Sequence, residues 1–195
     1  MVTRKRRAGL DTNMVVYEAI KLADEIGYEK LTLAALAGRL GIKTPSLYNH
    51  IQGLDDLRKH IAVHGLEQLH NTLSHAVKES AKEERILKVA AAYVAFANEN
   101  PGVYAATLHA PDKTVARWSE LGEQIVVLIS KLSEPYAMDD DEVIHWVRGY
   151  RSLLHGFVSL QQAGAFGIPL DLNESLRYML NMYMSGVEKW KAKTD

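Results

Sequence analysis

The stretch GIKTPSLYNHI, residues 41–51, concentrates hydrogen-bonding groups in a few residues. Its polar side chains are Thr44, Ser46, Tyr48, Asn49 and His50. A protein core would not favour them, whereas a helix placed against nucleic acid can use them on base edges and phosphates. The free N–H groups at the start of such a helix also favour an anionic oxygen. The alternative is an ordinary surface helix on which the polar residues are incidental.

The residues before this stretch predict how it is positioned. Thr32 is a good N-cap for the short helix LAALAGRL, and Gly41 ends that helix. A further short helix is expected from about Thr44 to Ile51, with Pro45 in its first turn, where a missing N–H costs little. Two short helices joined by a glycine turn are typical of a helix-turn-helix, whose second helix lies in the major groove of DNA.

The run LTLAALAGRLGIKTPSLYNHIQGLDDL, residues 31–57, closely resembles the DNA-binding signature of the TetR family of bacterial transcriptional regulators. The residues that carry the resemblance are Thr32, Leu36–Ala37, Leu40–Gly41, Leu47–Tyr48 and His50. The resemblance implies an all-α fold with two domains. Residues 1–53 would form a three-helix DNA-binding domain with a basic N-terminal arm, and residues 54–195 a helical effector-binding and dimerisation domain.

The same resemblance implies roles for single residues. Thr32 would cap its helix and touch a phosphate, while Tyr48 and His50 would clamp the DNA backbone. The residues expected to face bases are Lys43, Thr44, Pro45, Ser46 and Asn49. Leu54 departs from the pattern, because many members have a phosphate-contacting lysine there.

A basic arm can compensate for that missing contact by lying in a neighbouring minor groove. The arm consists of Arg4, Lys5, Arg6 and Arg7. It dominates the charge of the N-terminal part, since residues 1–53 hold eight Lys and Arg against five acids, and the remainder holds 15 against 19. The alternative is a solvated tail with no partner.

The composition sets limits on other functions. The chain has 195 residues, a net charge of −1 and no cysteine, so disulfides, thiolate zinc sites and a cysteine nucleophile are excluded. No apolar run approaches the roughly 20 residues that span a bilayer. We therefore expect a cytoplasmic protein with no membrane partner and no cofactor.

Helical periodicity covers almost the whole chain and predicts about nine helices and no sheet. The expected ranges are 11–26, 32–41, 44–51, 54–80, 82–98, 101–109, 112–133, 140–163 and 173–192.

The run RSLLHGFVSLQQAGAFG, residues 151–167, is similar to the TetR-type C-terminal domain named after a Trp-His-Gly motif, with Leu154 where the Trp would stand. Family precedent implies a homodimer in which the helices near 140–163 and 173–192 pair with their copies. Dimerisation also has a physical motive, because a twofold dimer reads two half-sites.

A small-molecule site is expected among large apolar side chains with a few hydrogen-bonding tips. The candidates are Tyr93, Phe96, Tyr104, His109, Trp118, Trp146, Tyr150 and His155. They predict a mainly apolar effector with one or two polar groups, bound near Trp118 and Tyr150. Plain core packing is the alternative for each residue.

Two other functions compete with DNA binding. His60, His64 and Glu67 share one helix face and could hold a metal, although a zinc protease would need Glu where Ile61 stands. The alternative for these three residues is a solvated face of the connecting helix, and we expect no metal site. No phosphate-binding glycine loop or nucleophile signature occurs, so we also expect no enzyme. The main hypothesis is a repressor released from its double-stranded DNA operator by an effector. The alternative is an all-helical small-molecule- or metal-binding protein, and a third possibility is a dimer that binds DNA without an effector.

Overall fold

The computed structural model describes residues 10–110, 112 and 114–194. Within these residues the chain forms α-helices and short 3₁₀ turns and contains no strand, which confirms the all-α prediction. The α-helices are α1 (Thr12–Ile26), α2 (Leu33–Leu40), α3 (Leu54–Lys78), α4 (Arg85–Glu99), α5 (Pro101–Thr107), α6 (Ala116–Ser130), α7 (Asp140–Gln162) and α8 (Leu172–Thr194). The 3₁₀ turns are Tyr28–Lys30, Thr44–Asn49, Lys82–Glu84 and Lys131–Tyr136.

The helices divide into two compact units, and the divisions fall inside α3, between α4 and α5, and inside α6. Unit 1 holds the chain up to Glu67 together with Asn100–Ser119, so α5 belongs to the same unit as α1 and α2. Unit 2 holds Gln68–Glu99 and the chain from Glu120 onward. The assignment of DNA binding to residues 1–53 and of effector binding to residues 54–195 concerns function rather than packing, and it stays a prediction.

Each unit has its own apolar core. Among the largest fully buried side chains, those in unit 1 are Val15, Leu31, Leu36, Leu47, Leu57 and Ile61. In unit 2 they are Leu73, Val89, Leu121, Tyr150, Leu154 and Leu180. Within a helix the buried residues are three or four positions apart, as Leu57 and Ile61 are on α3. This spacing is why the periodicity of the sequence located the helices. None of the described helices combines the length and the apolarity that crossing a membrane requires.

Several predicted α-helices differ from the structure in type or at their ends, and two of them illustrate this. The stretch predicted as a helix from Thr44 to Ile51 is a 3₁₀ helix over Thr44–Asn49, and its N–H groups bond three residues back, from Ser46 to Lys43 at 2.9 Å and from His50 to Leu47 at 2.9 Å. The helix predicted over 112–133 begins at Ala116 and passes into the 3₁₀ turn Lys131–Tyr136. Short helices favour 3₁₀ geometry because it closes a turn with fewer residues.

Candidate nucleic-acid interface and ligand cavity

Helix α2, which precedes the Thr44–Asn49 segment, is capped at its start by a side chain and ended by a glycine turn. The Thr32 hydroxyl oxygen accepts a hydrogen bond from the Ala35 N–H at 3.1 Å and caps the helix, as predicted. At the other end Gly41 has φ 65°, a left-handed conformation, and its N–H donates to Gly38 O at 3.1 Å. A residue with a Cβ is strained in this conformation, so Gly41 is well suited to the turn.

The Thr44–Asn49 segment separates its apolar residues from its polar ones. Leu47 is fully buried, and Ile51 follows it into the core of unit 1. Tyr48 is 60% exposed although it is the next residue along the chain. The remaining predicted contact residues are exposed (Lys43, Pro45 and Asn49) or half-buried (Thr44, Ser46 and His50). The segment therefore presents polar groups to solvent while Leu47 anchors it.

Contacts from α1 hold this region in place. The Thr12 hydroxyl donates to His50 O at 3.1 Å, which ties the end of the segment to the first turn of α1. Arg39 on α2 donates to Glu18 at 2.8 Å and to Glu25 at 2.7 Å. These hydrogen bonds lower the pKa of both carboxyls and raise the pKa of Arg39. The sequence contains no local signal for the Thr12 contact, because 38 residues separate the partners.

The basic arm lies outside the described residues, so the structure says nothing of Arg4, Lys5, Arg6 and Arg7. The predicted roles of the arm and of the segment residues stay predictions. What the structure adds is the local arrangement of the segment, which places a tyrosine, an asparagine and a lysine on one exposed stretch of backbone.

Unit 2 contains a cavity of about 920 Å³. Its walls come from the second half of α3, from the Lys82–Glu84 turn and the start of α4, from α6, and from the 3₁₀ turn after α6. The aliphatic lining residues are Val77, Ile86, Val127, Leu128, Leu132 and Pro135, and Tyr136 adds an aromatic ring. A volume of this size suits a small organic molecule.

None of the eight predicted ligand-binding residues lines this cavity. In unit 2, Tyr93, Phe96, Trp146 and Tyr150 are buried and His155 is half-buried. In unit 1, Tyr104 and Trp118 are buried and His109 is exposed. The eight assignments stay predictions. The cavity is lined mostly by charged and aliphatic residues, and its ring-bearing residues, His70 and Tyr136, were not among the eight candidates.

Two of these aromatic residues have specific contacts within unit 2. The Tyr150 hydroxyl donates to Ile86 O at 2.6 Å, and burial raises the pKa of that phenol. Trp146 stacks on Tyr150 with ring centroids 5.1 Å apart. Trp146 also lines a second, smaller cavity of about 430 Å³ together with Tyr183 and Trp190. Tyr150 therefore connects α7 to α4 as a core residue.

The metal alternative has little geometric support in the described part of the chain. His60 Nε2 lies 3.8 Å from an Asp56 carboxylate oxygen, one turn earlier on α3. No group of three His, Asp or Glu side chains among the described residues is arranged to hold a metal ion.

Comparisons with known proteins agree with this architecture. Residues 86–183 match the family model described as "Tetracyclin repressor-like, C-terminal domain", a span that contains the run 151–167. The chain is 41% identical over 184 residues to the uncharacterized HTH-type transcriptional regulator YobS of Bacillus subtilis (strain 168), covering 93% of this chain and 94% of that protein.

Two solved structures share the fold. A TetR variant from Acinetobacter baumannii AYE in complex with minocycline is similar with a TM-score of 0.71 at 19% identity, covering 94% of this chain and 99% of that one. BioQ with its double-stranded DNA operator is similar with a TM-score of 0.67 at 20% identity, covering 92% of this chain and 99% of that one.

Proposed function

The chain belongs to the TetR family of transcriptional regulators, and on that premise we propose that it binds a double-stranded operator through the Thr44–Asn49 segment and leaves the operator when a small-molecule effector binds. The observation that carries the proposal is the contrast between Leu47, which is fully buried, and Tyr48, which is 60% exposed. A buried anchor holds the segment while the neighbouring polar side chains remain available to DNA.

The proposed contacts divide by what they can recognise. Thr44, Ser46 and Asn49, with Lys43 and Pro45, face base edges, and base contacts carry sequence information. Thr32, Tyr48 and His50 contact phosphates, which position the protein without reading sequence. The arm Arg4–Arg7 adds charge-based affinity. DNA binding is assigned to residues 1–53 and effector binding with dimerisation to residues 54–195.

The first experiment selects bound duplexes from a random pool with the full chain and measures binding to the selected operator at several salt concentrations. Asn49→Ala and Thr44→Ala should relax the base preference, because each removes a base contact. Asn71→Ala on α3 is a matched control that should leave the preference unchanged. Deleting residues 1–7 should weaken every duplex and flatten the salt dependence. A deletion that alone abolishes base preference would reverse the assignment.

The phosphate contacts are tested by Tyr48→Phe and His50→Ala. Each should weaken operator binding by about 1–2 kcal/mol, the usual effect of losing a polar or charge-assisted hydrogen bond. The melting temperature should hold, because neither side chain is part of the core. His75→Ala removes the same group as His50→Ala from an exposed position on α3 and should leave binding unchanged. A collapse of the melting temperature would make Tyr48 or His50 a core residue.

The proposal includes a homodimer built on α7 and α8. Support comes from large apolar residues that these helices leave exposed in the single chain, namely Ile144, Leu160, Tyr178 and Met182. A second copy would remove this surface from water. A twofold dimer also places two reading segments about one helical turn apart on the operator, 34–36 Å.

The effector is proposed to act through α3, a continuous helix that begins in unit 1 and ends in unit 2. A ligand that favours one tilt of α3 would change the separation of the reading segments in the dimer, and its effect cannot exceed its difference in affinity between the two tilts. The eight predicted aromatic and histidine residues remain candidates for the effector site. The cavity of about 920 Å³ in unit 2 is a second candidate for the effector site.

Two proteins of similar fold support both halves of this proposal, since BioQ was solved with its operator and a TetR variant with minocycline. The family consists of transcriptional regulators. We therefore propose a binding function rather than a catalytic one, exercised in the cytoplasm. A chain that binds no duplex at any salt concentration would overturn the proposal in favour of an all-helical ligand-binding protein.

A further inference from the structure

The cavity of unit 2 has two walls of different charge. The wall formed by the end of α3, the following 3₁₀ turn and the start of α4 contributes Lys78, Lys82 and Arg85, and it contributes no acid among the described lining residues. The wall formed by α6 and the turn after it contributes the lining acids Glu120, Glu123 and Glu134, together with Lys131. A ligand inside this space therefore meets a cationic side and a predominantly acidic side.

Burial distinguishes the two walls. Glu120, Glu123 and Glu134 are all exposed, so water already solvates their charges. Arg85 is half-buried, and its Nε is shielded from solvent without a hydrogen-bond partner in the described part of the chain. A buried donor of a charged group is costly when it is left unpaired. Of the charged residues that line the cavity, the one that water solvates least is therefore a cation, Arg85.

Arg85 shares the cavity with aliphatic residues. Ile86 follows it on α4, Val77 lines the cavity from α3, and Leu128 and Leu132 line it from the opposite wall. Glu120 on α6 and Lys131, which directly follows the last residue of α6, are about 16 Å apart along the helix axis at a rise of 1.5 Å per residue. Aliphatic positions lie between them.

We propose that this cavity binds an amphipathic organic anion, whose anionic group is held by Arg85 with Lys78 and Lys82 and whose apolar body lies against Val77, Ile86 and Leu128. Arg85 suits this role because a guanidinium can hold a carboxylate or a phosphate with two parallel hydrogen bonds. The two lysines are exposed and attract the anion without being desolvated. In calling this ligand the effector, the inference rests on the proposed function.

The test uses four probes of one chain length with the full-length protein, each kept below its micelle concentration. Decanoate and decyl phosphate carry the proposed anionic group from two chemical sources, decanol is neutral, and decyltrimethylammonium is cationic. Calorimetric titration should show binding of at least one anion at least tenfold tighter than of decanol and of the cation. The comparison of decanoate with decyl phosphate identifies the head group. Tighter binding of the cation, or equal binding of all four probes, would overturn the proposal, as would no binding by any probe.

The residue assignment is tested on whichever anion binds. Arg85→Gln should weaken its binding by about 10–100-fold, the range for hydrogen bonds to a charged group. Arg85→Lys, which keeps the charge and loses the planar donors, should fall between Arg85→Gln and the unchanged protein. Lys88→Gln is the matched control, because Lys88 is an exposed cation on the same helix and does not line the cavity. An Arg85→Gln effect no larger than that of Lys88→Gln would overturn the assignment.

Release of DNA is measured separately on the selected operator duplex. If an anion binds with the expected dependence on Arg85 and the operator affinity stays unchanged at saturation, the ligand class is supported and the effector role fails. If the cationic probe releases the operator and the anions do not, the effector role is supported and the ligand class fails.

Discussion

The carboxylate of Asp24 on α1 caps the N-terminus of α5, where its Oδ1 accepts hydrogen bonds from the N–H groups of Gly102 at 2.8 Å and Val103 at 3.4 Å. Pro101, the first residue of α5, has no N–H, so these two groups are the first donors that the helix offers. A negative charge at this position also interacts favourably with the helix dipole. Asp24 thereby joins two helices of unit 1 that are 78 residues apart in sequence.

Asp24→Ala should lower the free energy of unfolding by about 1–2 kcal/mol, the usual loss when a capping side chain is removed. Asp24→Asn is the matched variant, because it keeps an oxygen acceptor and loses only the charge. Its loss should be smaller. Chemical denaturation of the three proteins measures the difference, and equal stability of all three would show that the cap contributes nothing.

Gly102→Ala should destabilise the protein by about 1–3 kcal/mol, the cost of overpacking a close contact. A Cβ at this position would lie 2.4 Å from the Ala23 backbone carbon, so α1 and α5 would have to separate. The matched control is Gly38→Ala in α2, where a Cβ meets nothing within 4 Å. That change should be neutral or raise stability by about 0.5–1 kcal/mol, because alanine favours helix more than glycine does. Thermal unfolding of both variants measures the two effects, and equal melting temperatures would contradict the close contact at Gly102.

The ion pairs of Arg39 predict a dependence of stability on pH. Their hydrogen bonds lower the pKa values of Glu18 and Glu25 from an ordinary value of 4.5. A carboxyl with a lowered pKa in the folded state contributes stability above its unfolded pKa and loses that contribution as the pH falls through the folded value.

The stability difference between the unchanged protein and Arg39→Gln should therefore be present at neutral pH and shrink below about pH 4.5. Denaturant unfolding at a series of pH values measures it. Lys30→Gln is a control at an exposed cation of unit 1 for which no such pH dependence is expected. A difference that grows as the pH falls would contradict the assignment.

The proposed dimer predicts opposite outcomes for two exposed methionines. Met182→Glu on α8 should shift the chain toward monomer in sedimentation, because a charge would have to be desolvated in the apolar contact. Met14→Glu, on α1 and 42% exposed, should leave the assembly unchanged.

Gly156→Leu on α7 tests the same interface by bulk. In the single chain a Cβ at Gly156 meets nothing within 4 Å, so the substitution has room unless a second copy packs there. Dissociation with an unchanged helical content is expected. A stable dimer after both Met182→Glu and Gly156→Leu would place the interface elsewhere.

The sequence by itself determined the helices and the turn that presents the polar segment. Thr32 was predicted as an N-cap and accepts the capping hydrogen bond, and α3 begins after Gly53 as expected. These features depend on interactions within a few residues, such as a capping hydroxyl or a glycine conformation, and such interactions can be recognised from residue types and spacing. The motif in residues 31–57 likewise identified the family, because its spacing is local.

Only the tertiary structure decided which distant residues meet. The contact of Asp24 with Gly102, the hydrogen bond from Thr12 to His50 and the grouping of α5 with unit 1 join segments whose sequences contain no local signal for one another. The cavity was missed for the same reason. Its walls combine residues about 50 positions apart on α3 and α6, and helical periodicity says that a face is buried without saying where two packed faces leave a space.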